Sequence, residues 1–453
     1  MGQILSHPKT EKSSEEGGDE LVAYGLSCMQ GWRVSMEDSH STILNMSKLS
    51  SSSSNTSHNS FFAVYDGHGG EKVAIFTGEN LPKILSKNEN YKIGNYNKSL
   101  KDTFLQTDIE ILNDNELSKD PSGCAATSTL ITNDKIYCAN AGDSRCVLSI
   151  NGIVKPLSFD HKPTNEGEKN RIVNAGGFVD MGRVNGNLAL SRGIGDFEFK
   201  DSKNLPAEEQ AVTALPDILE HNLNKLNDEF IILACDGIWD CLTSQQSVDF
   251  VRRYIKEKKS LIEICELMMN TCLAPTTGGS GIGCDNMSVC IVALLNNNES
   301  LNQWYDRISL KISDDDLKNL PTADELSIDL YKIDIESKLS ENKVDEKGNK
   351  GITTKKNRVN DEDDDEDDED NDDLLKGGAP AFLQQLLAAS AASRGTGENS
   401  NVIYLDPSST SILQSLGVME DNDDITHEIE QEEDEDEEET EEDNKIVEVS
   451  DDK

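Results

Sequence analysis

Three features of the chain predict an α+β domain built on packed antiparallel sheets, followed by an acidic tail. Short runs of strand type recur between turn signals. Stretches with helical spacing of apolar residues lie among them without strict βαβ alternation, and the composition changes sharply after residue 300. The 453 residues carry a formal net charge of −44. Roughly −31 of it falls after Ser300, leaving about −13 for the part long enough to bury a core.

Residues 1–20 are polar and read as a flexible N-terminus. Residues 21–29 alternate like a strand and lead into Gly31-Trp32-Arg33-Val34-Ser35-Met36-Glu37-Asp38. The Ser/Asn-rich stretch 47–60 reads as a surface loop. Phe61-Phe62-Ala63-Val64-Tyr65 is an aromatic strand run that stops at Asp66-Gly67-His68-Gly69-Gly70. Helical spacing follows over 71–84 and 98–112. Runs at 127–131, 136–141, 146–150 and 153–157 form a meander, with Asn151-Gly152 the signal for a type I′ hairpin. Residues 166–175 read as a short helix stopped by Gly176-Gly177. Two strands that are apolar save for Ser288, 230–235 and 287–294, flank a helical stretch at 247–272.

The domain so defined spans 21–297. Apolar positions then recur at three and four residues, giving one or two peripheral helices within 298–340. The rest, 341–453, is acidic and low in complexity, and residues 361–370 are all Asp or Glu, which keeps such a segment hydrated. One apolar island interrupts it at 380–394, opened by Pro380 and closed before Gly395. It predicts a short helix, either a docking segment that folds on a partner or a weak helix alone.

The acidic balance excludes nucleic acid as a direct ligand of the tail. Ten scattered cysteines without a C-x-x-C pair signal neither a zinc site nor a redox pair, and point to a reducing, intracellular compartment. No apolar leader opens the chain and no run is long enough to span a bilayer, so the expected location is cytoplasmic. Met1-Gly2-Gln3-Ile4-Leu5-Ser6 fits the pattern for acylation of Gly2, which alone gives at most weak membrane association.

The chemistry lies in acids at strand ends. Asp66 follows one strand, Asp236 follows another within Asp236-Gly237-Ile238-Trp239-Asp240, and Asp285 precedes a third; Glu37-Asp38 follows the first. Such acids are hard oxygen ligands that suit Mg²⁺ or Mn²⁺, and seven histidines are too few for a His-rich centre. Two such ions can lower the pKa of a shared water enough to supply hydroxide near neutral pH. Arg33 has the planar fork that suits phosphate, and His68 is placed to protonate a leaving oxygen. Taken singly, Arg33 is as well explained by a surface ion pair and His68 by a turn; with the acids they are not.

Seven motifs then carry a resemblance. Arg33-Val34-Ser35-Met36-Glu37-Asp38, Asp66-Gly67-His68-Gly69-Gly70, Gly142-Asp143-Ser144-Arg145, Asp160-His161-Lys162-Pro163, Ser191-Arg192-Gly193-Ile194-Gly195-Asp196, Asp236-Gly237-Ile238-Trp239-Asp240 and Asp285-Asn286-Met287 resemble, in order, those of the PPM/PP2C protein serine/threonine phosphatases. They cover about 20–295, and the chain is most similar to fungal cytosolic members with an acidic C-terminal extension. The resemblance implies a four-layer fold, a central β-sandwich flanked by helices with the metals at one end. It implies that Asp66 bridges two Mg²⁺ or Mn²⁺ ions, that the Gly67 carbonyl adds a ligand, and that Glu37 serves one metal and Asp236 and Asp285 the other. Asp38 would orient water, Arg33 bind phosphate and His68 act as acid, while Asp143 and Asp240 match a weaker third metal site. Residues 161–200 would form a flap with Arg183 near substrate; Gly193-Ile194 departs from the usual Ala-Leu or Ala-Phe there.

The implied activity is hydrolysis of phosphoserine and phosphothreonine on proteins by water or hydroxide bridging the two metals. The implied partners are phosphorylated proteins, signalling and stress-pathway kinases among them, met by a monomer in cytoplasm and nucleus. A cysteine phosphatase is excluded, since no cysteine has an arginine six residues on. A calcineurin-type enzyme shares the Asp66/His68 spacing but needs a G-N-H motif that is absent. The competing class is a catalytically silent phosphoprotein- or kinase-binding module. Loss of Arg33 or of a metal acid would favour it, and none is lost.

Overall fold

Two antiparallel sheets organise the computed structural model, which describes residues 4–49, 58–277, 280–296 and 299–331. The first sheet runs β1 (Ile4–Gly18), β2 (Val22–Arg33), β14 (Met287–Leu294), β13 (Asp228–Ala234), β7 (Arg145–Ile150), β8 (Ile153–Pro156). The second runs β12 (Asp217–Asn222), β6 (Lys135–Ala141), β5 (Gly123–Ile131), β4 (Ser60–His68), β3 (Ser39–Ile43), with β11 (Ile194–Gly195) also on β5. The short hairpin of β9 (Val179–Asp180) and β10 (Arg183–Val184) stands apart.

Strand periodicity explains the layers. Phe62 and Val64 point to one face of β4 and meet Leu26, Leu148, Ile231, Leu233 and Val292 between the sheets. Phe61, Ala63 and Tyr65 point to the other face, against residues of α1 (Lys72–Lys87) and α3 (Tyr96–Asn113), which α2 (Glu89–Lys92) joins. Likewise Ile231 and Leu233 face the sandwich interior. Phe230 and Ile232 pack with residues of α5 (Asp236–Trp239), α6 (Ser244–Lys256), α7 (Leu261–Cys272) and α8 (Leu301–Leu310). Burial on both faces is why these strands read as unbroken apolar runs. The Asn151-Gly152 turn has φ of 49° and 85°, the left-handed pair a type I′ hairpin requires.

Three expectations are corrected. Residues 4–18 are not a flexible terminus but an edge strand paired to β2 from Ile4↔Arg33 to Gly18↔Ala23. Its polar sequence hid it: backbone bonds and contacts such as Ser14 Oγ to Ser27 Oγ (2.8 Å) hold it, and an edge tolerates Pro8. The helical stretch 247–272 is two helices, each begun by a capping box at Thr243 and Ser260, with Lys258 left-handed between them. The segment after 298 is no peripheral addition. Trp304 and Ile308 on α8, with Ile312 and Leu326, are buried against the first sheet's helices; α9 (Asp314–Asn319) and helical residues 323–331 follow. Gly2, the acidic run 361–370 and the island 380–394 lie outside the described residues.

Candidate active site

Each acid named from the sequence sits where a strand enters or leaves the sandwich. Asp66 and His68 end β4, Asp236 opens α5 just after β13, Asp285 lies two residues before β14, and Glu37-Asp38 join β2 to β3. The two sheets meet here, with the Asp236 amide 3.5 Å from Asp66 Oδ2. Glycines make the approach possible. A Cβ on Gly67 would collide with the Glu37 carbonyl oxygen, and one on Gly237 with that of Asn286. The repeated Asp-Gly pairs thus let one acid-bearing segment lie directly on another.

Neighbours fix the loop acids. Glu37 accepts from Ser35 Oγ (2.7 Å) and the Gly70 amide (3.2 Å). Its own amide donates to Asn286 Oδ1 (2.9 Å), while Asn286 Nδ2 donates to the carbonyls of Gln30 and Ser35. Asp38 accepts from Ser288 Oγ (2.7 Å) through Oδ2, and its buried Oδ1 has no hydrogen-bond partner among the described residues. Arg33 Nη2 pairs with Asp285 Oδ2 at 2.5 Å.

The electrostatics are those of crowded like charges. Burial, then Asp236, Asp38, Asp143 and Asp285, push Asp66 well above the usual carboxylate range. Burial, then Asp143, Asp285 and Asp240, do the same to Asp236 against the opposing pull of Lys162. Asp38 is pushed up to about 6 by burial and by Asp285, against the Ser288 hydrogen bond. Burial raises Asp285 despite Arg33, and Asp240 despite Lys162. Lys162 donates to the buried Asp143 Oδ2 at 2.7 Å. Burial disfavours the charged form of His68, but Asp196, 2.8 Å from Nε2, outweighs it and raises the imidazole.

The structure therefore gathers Glu37, Asp38, Asp66, Asp236 and Asp285, with Asp143 and Asp240 alongside and Arg33 and His68 at the margin. Arg183 is not among them: it lies exposed on β10 and donates to the Asn187 carbonyl of its own hairpin (2.6 Å). Residues 161–200 contain α4 (Glu166–Asn174), the hairpin and β11, and their small core extends to Ala211 and Val212. Glu168 ties this unit together through Arg171 (2.8 Å), Arg192 (2.7 Å) and Ser191 (2.7 Å). Gly193 is fitted to its place, since a Cβ there would stand 2.9 Å from the Cys124 carbonyl oxygen.

Sequence reasoning gave no role to Asn286, Ser288, Lys162 and Asp196. Three of the four lie inside quoted motifs, and that is the signal that finds them. Asp196 is left-handed (φ 52°) and buried, and Gly123 clears space for it, since a Cβ there would strike its carboxylate.

A donor set of hard oxygens, acids raised by desolvation and by one another, and an Asp38 oxygen without a partner among the described residues fit divalent cations of the Mg²⁺/Mn²⁺ type. Residues 22–281 match the family model of protein phosphatase 2C. The chain is 57% identical over 316 residues to protein phosphatase 2C homolog 3 of Schizosaccharomyces pombe, covering 70% of this chain and 75% of that one. It is 54% identical over 313 residues to protein phosphatase 2C homolog 2 of Saccharomyces cerevisiae, covering 69% and 67%. Among solved structures, a phosphatase of Toxoplasma gondii superposes with a TM-score of 0.53 at 25% identity, covering 64% of this chain and 97% of the other. The chain belongs to the protein phosphatase 2C family of metal-dependent protein serine/threonine phosphatases.

Proposed function

We propose that the acid cluster holds two Mg²⁺ or Mn²⁺ ions for phosphoserine and phosphothreonine hydrolysis, with Asp66 and the Gly67 carbonyl, Glu37, Asp236 and Asp285 as the ligand set. The observation that carries this is the crowding of several half-buried carboxylates at one end of the sandwich, where among the described residues Arg33 pairs with Asp285 and Lys162 with Asp143. When bound, the cations supply charge neutralisation and a water of lowered pKa. The chain's own groups do the rest. Asp38 Oδ1, unpartnered and buried, accepts a proton-bearing group facing the cluster. Arg33 turns its fork from Asp285 toward a phosphate dianion. His68, held by Asp196 and raised toward its charged form, gives its proton to the departing serine or threonine oxygen.

Asp143 and Asp240 are the pair proposed for a weaker third ion, with Lys162 as its substitute charge. The exposure of Arg183 on its hairpin leaves it free to meet a substrate chain beside the cleft. By family resemblance the substrates extend to phosphorylated signalling kinases, met by a monomer in cytoplasm and nucleus. Hydrolysis of a phosphothreonine peptide by the full chain, with EDTA, Mg²⁺ or Mn²⁺ and with okadaic acid alongside, tests the reading. Metal-dependent, inhibitor-insensitive turnover is expected; a folded sample inert with both metals would overturn it.

A further inference from the structure

The chain's last described helical stretch reaches back to the site. Tyr331 is 5% exposed, 46 residues after Asp285 in sequence, and its hydroxyl donates to the Cys272 carbonyl at the end of α7. Its ring packs in a small cluster with Trp32, Ala274 and Cys284. Two of these adjoin site residues: Trp32 precedes Arg33, and Cys284 precedes Asp285. The same contacts close the connection from α7 to β14. Trp32 Nε1 donates to the Ala274 carbonyl (2.9 Å), and the Ala274 amide to the Gly283 carbonyl (2.9 Å). Gly283 is left-handed (φ 71°), and a Cβ there would collide with the Tyr331 hydroxyl. On the other side Gly31, also left-handed (φ 65°), leaves room for the Asp285 carbonyl oxygen, which a Cβ would meet at 2.7 Å.

Asp285 thus leaves a connection gripped from both sides, by β2 and by the 323–331 helix. Both Asp285 and Tyr331 lie beyond residue 281, where the family match ends. We propose that Tyr331 is a positioning residue for the metal site: by pinning Cys272, Gly283 and the Trp32 ring it fixes the Asp285 carboxylate and its Arg33 partner. This rests on the reading of Asp285 as a metal ligand. A ligand whose supports are loosened must be re-ordered by the ion itself, which lowers affinity. Outer supports of metal ligands typically carry about 10–100-fold in affinity.

The test is Mn²⁺ affinity of the full chain, measured from free Mn²⁺ by electron paramagnetic resonance, beside the melting temperature in EDTA. Wild type, Tyr331→Phe, Tyr331→Ala and Asp285→Asn are compared. Tyr331→Phe keeps the ring and removes only the bond to Cys272. The expected result is Mn²⁺ affinity lowered about tenfold in Tyr331→Ala and several-fold in Tyr331→Phe, with turnover regained at saturating Mn²⁺. Unchanged affinity in both tyrosine variants, with Asp285→Asn weakened, would overturn the proposal and leave a merely structural tyrosine whose loss lowers only the melting temperature. Unchanged affinity in Asp285→Asn would instead remove the ligand role and the proposal with it.

Discussion

One fully buried carboxylate and a cluster of half-buried ones in this protein have opposite surroundings. Glu229, on β13, is fully buried and answered by the chain itself. Arg252 reaches both its oxygens (2.9 and 2.8 Å), Ser149 Oγ and the Gly152 amide donate to Oε2, and Lys311 stands 3.6 Å from Oε1. At the other end of the same strand, Asp236 and its neighbours Asp66, Asp38 and Asp285 face chiefly one another. A buried acid ringed by donors is part of the scaffold. A set of half-buried acids ringed by acids is a place for cations.

The largest effect that could break this contrast is in catalysis. Asp236→Asn should lower kcat by about 10³-fold or more at saturating Mn²⁺, roughly 4 kcal/mol of barrier, while circular dichroism shows an unchanged fold. An unaltered kcat would mean that this acid is no ligand. Glu229→Ala should do the reverse. It strands a buried Arg252, costs about 3–5 kcal/mol of stability by denaturant titration, and leaves turnover per folded molecule unchanged.

A smaller effect sharpens the role of the margin. His68→Gln should slow hydrolysis of a phosphothreonine peptide about 10²-fold, yet spare p-nitrophenyl phosphate, whose leaving group needs no proton. Equal losses on both substrates would assign His68 to structure.

The next effect is in pH. In EDTA, Asp66, Asp236 and Asp38 have pKa values raised above those of the unfolded chain, so the folded state binds more protons between the two values. Stability from these groups is present at low pH and lost as pH rises through the folded values, for Asp38 between about 4 and about 6. The raised His68 acts in the same direction. Asp217, held low by His161 and Arg192, stays ionised throughout this range and does not oppose it. The melting temperature in EDTA should therefore fall from about pH 5, through the Asp38 window, to about pH 7, where His68 loses its proton, and saturating Mn²⁺ should flatten the slope. The smallest effect is at the tail: a chain ended near residue 342 should keep full activity on a small phosphoester.

The acids of the cluster were legible because strand runs announce their own ends. An unbroken apolar run stopping at Asp-Gly locates both a strand terminus and a carboxylate. What escaped was held by polar groups without periodicity. Nothing in Ile4 to Gly18 alternates between apolar and polar, so β1 looked like solvent-exposed chain until its pairing with β2 was seen. Asn286 and Ser288 act by clasping segments some 250 residues away, a relation no local pattern carries. The helices after residue 298 looked peripheral because their charged faces dominate the composition, whereas Trp304, Ile308 and Ile312, four apart, form a buried stripe.

If the acids at this end of the sandwich take cations where Glu229 does not, the full chain should bind them directly. Calorimetric titration of Mn²⁺ into EDTA-treated, dialysed full-length protein at pH 6, repeated in buffers of different ionisation enthalpy, tests it most directly. At least two ions per chain are expected, bound with release of protons from the raised carboxylates, with at least one ion lost in Asp236→Asn. A folded wild-type chain that binds no Mn²⁺, or binds it without proton release and equally well in Asp236→Asn, would contradict it.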